Sequence, residues 1–413
     1  MSSGEPLIIA VIGGGVAGLT LALAAHQRGV RVDVFERNAE ITEVGAGLAL
    51  GANAVRIIES LGIKDEFRAI SSLSTNQVQN IYRRYNTSEE YHRGLYSNPD
   101  DHSAYHHRAD FVKLLASAIP SDQIHLNKKF KSANQSQDKV TVAFEDGSEF
   151  EADILVGADG IHSKVRKYFF RDDNPVNSYQ VMYREVIDIK DLKGPFENDL
   201  SQTTIWPAPG KRHVVTFPID QGRRFAAAAI VPVSEDKKAE ESWLLDGNVS
   251  DLLEILDDYH EDVKNIFRSF KKIKIYGLYD REKLDTWVDG NVLLIGDAAH
   301  PGLPHQGANA GQAIEDAYAL AITLKYSEVD DDRRKNLNKW LKVFERARKD
   351  HAEGVALTSR RMGHVFNELV DNEKAVKIIK DNFRWIFNSD PSTEVQKAVF
   401  EYFGYELAFK LIE

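Results

Sequence analysis

The 413-residue sequence predicts an α/β fold: a Rossmann-like nucleotide-binding domain, a β-rich domain inserted into it, and helices that close the C-terminal part. Three observations carry that reading. A glycine-rich turn, Gly13 to Gly18, joins a strand pattern to a helix pattern. Two later buried strands end in Gly157-Ala158-Asp159-Gly160 and in Gly296-Asp297. Between them, residues 177–285 hold short β-like runs separated by Trp, Pro and Gly. At about 150 residues per domain, a chain of this length has room for two or three.

Each element has its own signal. Leu7–Ile12 is an apolar run of strand length, the helix pattern continues to about Arg28, Gly29 stops it, and Arg31–Phe35 is a second strand. Together they form a compact βαβ unit. The segment KVTVAFEDGSEFEADILVG (139–157) alternates and turns at Asp146-Gly147, as a hairpin feeding a buried strand does. A third buried strand, Asn291–Ile295, precedes a long helical pattern starting near Gly307. HVVTFPI and FAAAAIVPV read as strands, residues 76–105 are polar and tyrosine-rich, and residues 330–413 read as amphipathic closing helices. The expected division is 1–75, 106–176 and 286–355 for the nucleotide-binding domain, 76–105 and 177–285 for the inserted domain, and 356–413 for a C-terminal helical region.

Composition removes several function classes. Cysteine is absent, which excludes disulfides, thiolate metal sites, iron–sulfur clusters and cysteine nucleophiles. Redox chemistry would therefore need a borrowed cofactor, and a reducing, cytoplasmic setting fits. A net charge of −11 argues against nucleic acid or an anionic membrane as the main partner. Residues 7–25 carry no charge and imitate a membrane or signal segment, but Gly13, Gly14, Gly15 and Gly18 interrupt them and Glu5 stands where basic residues belong. No membrane span is expected. Nor is a metal: His92, His102, His106 and His107 lack a helical metal spacing.

The first chemical motif is Gly13-x-Gly15-x-x-Gly18. Its glycines serve a tight turn, close backbone approach to a pyrophosphate, and helix–strand packing. Glu36 closes the second strand, where a carboxylate can accept ribose hydroxyl hydrogen bonds. Gly45-Ala46-Gly47 lacks a clear strand–helix context and is not read as a second fingerprint.

With Gly157-Ala158-Asp159-Gly160 and Gly296-Asp297-Ala298-Ala299-His300-Pro301 in the same order, the chain resembles the flavoprotein aromatic hydroxylases, single-component FAD-dependent monooxygenases that include salicylate hydroxylase. The resemblance covers nearly the whole chain. It implies noncovalent FAD, with Glu36 on the adenosine ribose and Arg37 beside it. Arg108 would lie near the ribityl–pyrophosphate region, Asp297 on the ribityl or pyrophosphate side, and backbone at Ala49 and Ala310 against the flavin. Asp159 and Gly160 would serve both FAD and the pyridine nucleotide. The helix from Gly307 would turn its free N–H groups toward the flavin. Asp297 and Asp159 could instead be helix caps, and Arg108 a surface ion-pair residue.

On the substrate side, His305 matches the position of a catalytic histidine that would take a phenol proton, and Pro304 is the proline whose carbonyl would face the flavin. His305 could also be a structural histidine. Arg184 matches a phenolate-holding arginine of dearomatising relatives, but its expected tyrosine partner is Phe217 here. His213 shares a face with Phe217 if its strand is regular. Arg83, Arg84, Arg223 and Arg224 could bind a carboxylate or be solvated charge.

The implied activity is NAD(P)H- and O2-consuming hydroxylation of a small phenolic acid, with salicylate to catechol and CO2 as the leading case. Another aromatic, such as a hydroxybenzoate, a hydroxynicotinate or a polyketide, and a non-catalytic FAD-binding protein are the alternatives. A monomer or homodimer is expected.

Overall fold

The computed structural model describes residues 6–42, 46–136, 139–171, 173–234, 245–368 and 373–404. A six-stranded sheet runs in the order Val288–Asp289, Val292–Leu294, Ile154–Gly157, Ile9–Ile12, Val32–Phe35, Ile124–His125. All its pairings are parallel except that of the edge strand Val288–Asp289. Ile9–Ile12, Val32–Phe35 and Ile154–Gly157 are buried at every position. Strands covered on both faces carry near-continuous apolar runs rather than alternation, and Asp33 is the one charged residue among these three.

The apolar stretch at 7–25 is thus divided between the strand Ile9–Ile12 and the helix Val16–His26, with the glycine turn between them. No helix among the described residues is long and apolar enough to cross a membrane. Gly29, at φ +73°, turns the chain out of the helix. The hairpin appears as Val140–Phe144 and Glu149–Ala152, and Phe130–Gln135 adds a third strand.

A second, eight-stranded sheet takes the order Leu245–Gly247, Ile273–Asp280, Val176–Asp188, Arg224–Pro232, Arg212–Ile219, Thr204–Ala208, Val78–Arg83, Glu90–Leu95. The tyrosine-rich 76–105 stretch therefore contributes two strands to the sheet built from 177–285. Strict alternation sorts its faces. Tyr183, Trp206, Val214 and Phe225 pack outward, with Leu252, Val263 and Phe267 from the helices Val249–Ile255 and Glu261–Arg268. Arg184, Ala228, Val215, Ile205 and Tyr82 stand in register on the inner face, with Met182, Ile230 and His213 in the next row.

A small sheet, Gly47–Leu50, Ala104–His107 and Ser72–Leu73, bridges the two large ones. A Cβ at Gly47 would lie 2.5 Å from the Ala226 Cβ, so that glycine is needed for direct contact with the inner face. Gly45 of the same triplet lies outside the described residues.

The closing helices are Leu337–Glu368, Glu373–Phe387 and Pro391–Phe403. The expected junction at 355/356 falls inside the first of these, a continuous helix of 32 residues. It packs against the first sheet's helix Asn309–Tyr326 and also against strands Thr204–Ala208 and Arg212–Ile219 of the second sheet.

Candidate active site

Steric demand explains the glycine turn. Gly13 has φ +114°, and a Cβ there would lie 2.4 Å from the Ala158 carbonyl oxygen; a Cβ on Gly18 would lie 2.1 Å from that of Gly13. Gly15 is the N-cap of Val16–His26 with no side-chain cap, so the helix start is open toward a ligand. Glu36 is fixed beside it: one carboxylate oxygen accepts from the Gly14 N–H at 2.8 Å, the other from Asn38 at 2.9 Å. Each oxygen keeps a lone pair for a ribose hydroxyl. Arg37 is exposed on the following turn.

The two later motifs are locked to each other. Asp159 accepts from the Ser163 hydroxyl at 2.5 Å and from the Lys164 N–H at 2.7 Å, so its carboxylate caps the helix Lys164–Phe169. Burial pushes this carboxyl up, against those hydrogen bonds. Gly160 follows at φ +77°. Arg166, fully buried on that helix, donates to the Ala299 carbonyl at 3.0 Å and pairs with Asp173 at 2.9 Å. The strand-end turn Gly296–Ala298 is thereby held from one side.

From the other side it is held by ions. Asp316 accepts from the Gly296 N–H at 2.9 Å, meets His300 Nε2 at 2.5 Å, and pairs with Arg348 at 2.9 Å. Arg348 also binds Glu315 at 2.7 Å and Gln312 at 2.8 Å, and Asn53 donates to Glu315 at 2.6 Å. All six side chains are buried. Burial pushes Asp316 up, but His300 and Arg348 outweigh it and hold the carboxyl below its ordinary value.

Asp297 stands on this clamped turn, open to solvent on one side and crowded by protein atoms on the others. Burial raises its carboxyl, with His300 and Arg108 opposing. Arg108 opens the helix Arg108–Ser117. Burial first, then the charge of Arg184, bring its guanidinium down to about 10, while Asp297 pulls the other way. Arg108 is thus within electrostatic reach of both Arg184 and Asp297, and the Arg184 guanidinium sits 4.6 Å over the Tyr276 ring.

Past the turn, Pro304–Gln306 form one 3-10 turn ended by Gly307 at φ +61°. The helix Asn309–Tyr326 starts there without a side-chain cap on its N-terminus, with Ala310 in its first turn. His305 is buried, and its ring lies 5.3 Å from that of His213 on the inner face of the second sheet. His213 also meets Phe366 at 4.7 Å, and burial, then the charge of His305, hold its imidazole well below its ordinary value. Phe217 shares that strand face but packs on Tyr105 at 5.4 Å, and Ala49 joins the same apolar group.

An open helix N-terminus, a turn with no room for Cβ atoms, and an acid that feels the charge of Arg108 form a cradle for a dinucleotide. The model of the family described as FAD binding domain matches residues 7–357. The chain belongs to this family, among the flavoprotein aromatic hydroxylases. Salicylate hydroxylase of Pseudomonas putida is 29% identical, over 95% of this chain and 94% of its own. The 3-amino-4-hydroxybenzoate 2-monooxygenase of Streptomyces cremeus is 32% identical, over 92% and 94%. A solved salicylate hydroxylase substrate complex superposes with a TM-score of 0.83 at 29% identity, covering 96% of this chain and 98% of that one.

Several polar candidates have other work in this flavoprotein. Arg83 donates to the Ser88 carbonyl at 2.9 Å, Arg84 pairs with Glu89 at 3.4 Å, Arg223 with Asp220, and Arg224 with Asp110 at 2.7 Å. They make ion-pair and turn contacts, as solvated or structural charge does. His106 lies between Phe67 and Phe111, His92 beside Tyr82, His102 near Glu59 and His107 near Asp110. The sequence reading passed over Arg166, Glu315, Asp316 and Arg348. Glu315 and Asp316 stand out as adjacent acids in a mostly apolar helix, whereas Arg166 and Arg348 are hidden among the other charges of their helices.

Proposed function

We propose that this chain hydroxylates a small phenolic acid with NAD(P)H and O2, and that salicylate, converted to catechol with loss of CO2, is its substrate. One observation carries the reading: the His305 imidazole stands between the open N-terminus of Asn309–Tyr326 and the inner face of the second sheet. That is where a phenol lying on the sheet would meet a proton acceptor beside the cofactor.

FAD, when bound, accepts hydride from NAD(P)H and activates O2. Glu36, Arg37, Arg108, Asp159, Gly160, Asp297 and the backbone at Gly13, Gly15, Gly18, Ala49, Gly307 and Ala310 would hold it. The chain's own tasks are positioning and proton transfer. His305 Nε2 or Nδ1 takes the phenol proton, since phenolate is far more electron-rich than phenol. The Pro304 backbone orients that turn, His213 lines the pocket as a neutral ring, and Arg184 supplies positive charge toward the substrate anion. The sheet and the long helix exclude water. A cytoplasmic monomer or homodimer completes the proposal.

The balance is salicylate, NADH, O2 and two protons giving catechol, CO2, NAD+ and water. The experiment is NADH and NADPH oxidation over salicylate, 3-hydroxybenzoate and 3-amino-4-hydroxybenzoate, with product masses. Efficient coupled turnover of salicylate supports the reading. Coupling with one of the others alone would move the activity to that acid.

A further inference from the structure

The loop carrying His305 lies along the closing helix Leu337–Glu368 and touches it at successive turns. A Cβ on Gly302 would lie 3.3 Å from Ala356 Cα. Ser359 Oγ donates to the Leu303 carbonyl at 2.5 Å, and Thr358 Oγ1 meets Gln306 Oε1 at 3.2 Å. One turn further, Gly363 lies against the imidazole: a Cβ there would come 3.0 Å from His305 Nε2, 3.3 Å from Cδ2 and 3.4 Å from Cε1. Glycine is a poor choice inside a helix, so its place is explained by what it makes room for.

A second ring crowds the imidazole. His213 lies 5.3 Å away, and Phe366, three residues past Gly363 on the same helix, backs His213 at 4.7 Å. The imidazole therefore sits in a slot formed by Gly363 and the His213 ring, which Phe366 backs. Both ring nitrogens of His305 are buried, so a displacement of a few tenths of an ångström has no slack to absorb it. His213 is the titratable ring in contact; Arg360, beside Ser359, is bound to Asp280 at 2.7 Å.

We infer that Gly363 and Ser359 of the closing helix are positioning residues that set where the His305 imidazole points, through the glycine slot and the Leu303 carbonyl hydrogen bond. The inference rests on His305 as the proton acceptor. It makes the C-terminal helix part of the reaction geometry rather than a cover.

The test uses FAD-loaded wild type, Gly363→Ala, Ser359→Ala and His305→Ala, with histidine-selective ring-label NMR and salicylate as the kinetic probe. The His305 signal is identified by its loss in His305→Ala. We expect FAD to stay bound in both helix variants while the His305 signal moves and the His106 and His351 signals stay. With salicylate, kcat should fall about tenfold with KM changed by less than about threefold, and the acid limb of the pH–rate profile should shift. A soluble, FAD-loaded Gly363→Ala with the wild-type His305 signal and pH profile would overturn the inference. If Gly363→Ala does not fold, Ser359→Ala, which adds no bulk, is judged by the same readouts. A fully active His305→Ala would sink the proton-acceptor reading alone. An impaired His305→Ala beside unchanged helix variants would sink the positioning role alone. Where salicylate is not turned over, the NMR signal decides.

Discussion

The rings of His213 and His305 lie 5.3 Å apart, both buried, where the second sheet meets the loop after the Gly296–Ala298 turn. Burial and the neighbouring imidazole keep His213 neutral, so it does not compete for the proton that His305 is proposed to take. His305→Ala should retain FAD and lose hydroxylation by about 10²–10⁴-fold, the span of one general base. The loss should be worst at low pH, where solvent ionises least phenol. Flavin absorbance and a pH series of initial rates check both halves.

Acid stability follows from buried imidazoles. Burial lowers His106 and His351 to about 3 and His213 well below its ordinary value. A histidine whose folded pKa is depressed contributes stability above its unfolded pKa and loses it as pH falls below about 6.5. Each contributes a slope of up to about 1.4 kcal/mol per pH unit. His106, between Phe67 and Phe111, can be replaced by a ring of similar shape. His106→Phe should flatten the acid side of a Tm-against-pH curve while leaving the neutral Tm within a few degrees.

Arg348 holds two buried carboxylates, Glu315 and Asp316. Arg348→Met should cost about 3–5 kcal/mol, because it leaves buried charge without its partner. FAD affinity should drop as well, since Asp316 holds the Gly296 N–H beneath Asp297. Urea unfolding and flavin titration measure the two effects.

Gly13→Ala should abolish FAD retention through the 2.4 Å clash with the Ala158 carbonyl and the φ of +114°. The purified protein should be colourless, with the flavin absorbance lost. Gly147→Ala, a hairpin turn at φ +84° with nothing within 4 Å, should retain FAD and lose only about 1–2 kcal/mol of stability.

Phe217→Tyr alone should fail to build an arginine–tyrosine pair with Arg184. A Cβ at Gly47 would lie 3.0 Å from the Phe217 Cζ, so the ring tip already abuts that strand. A hydroxyl there should cost about 1–3 kcal/mol by overpacking, read as a lowered urea midpoint.

The glycine turn, Glu36 and the two strand-end motifs were legible because local backbone geometry dictates them, and local demands appear as contiguous residues. Arg348, Glu315, Asn53 and Gly363 were not. Asn53 and Glu315 lie 262 positions apart, and an amphipathic pattern does not show which polar residues face inward. Gly363 reads as a weak helix position until His305 is seen against it. Asp159 was legible as a motif member and, in the alternative, as a helix cap, and its hydrogen bonds to Ser163 and Lys164 at the start of Lys164–Phe169 are those of a cap.

The most direct test of the account is turnover of salicylate by the FAD-loaded protein under 18O2. Catechol carrying one 18O atom, with one CO2 released and one NAD(P)H consumed per catechol, is the predicted result. Reduced nicotinamide consumed with all oxygen recovered as hydrogen peroxide and no labelled catechol would contradict it.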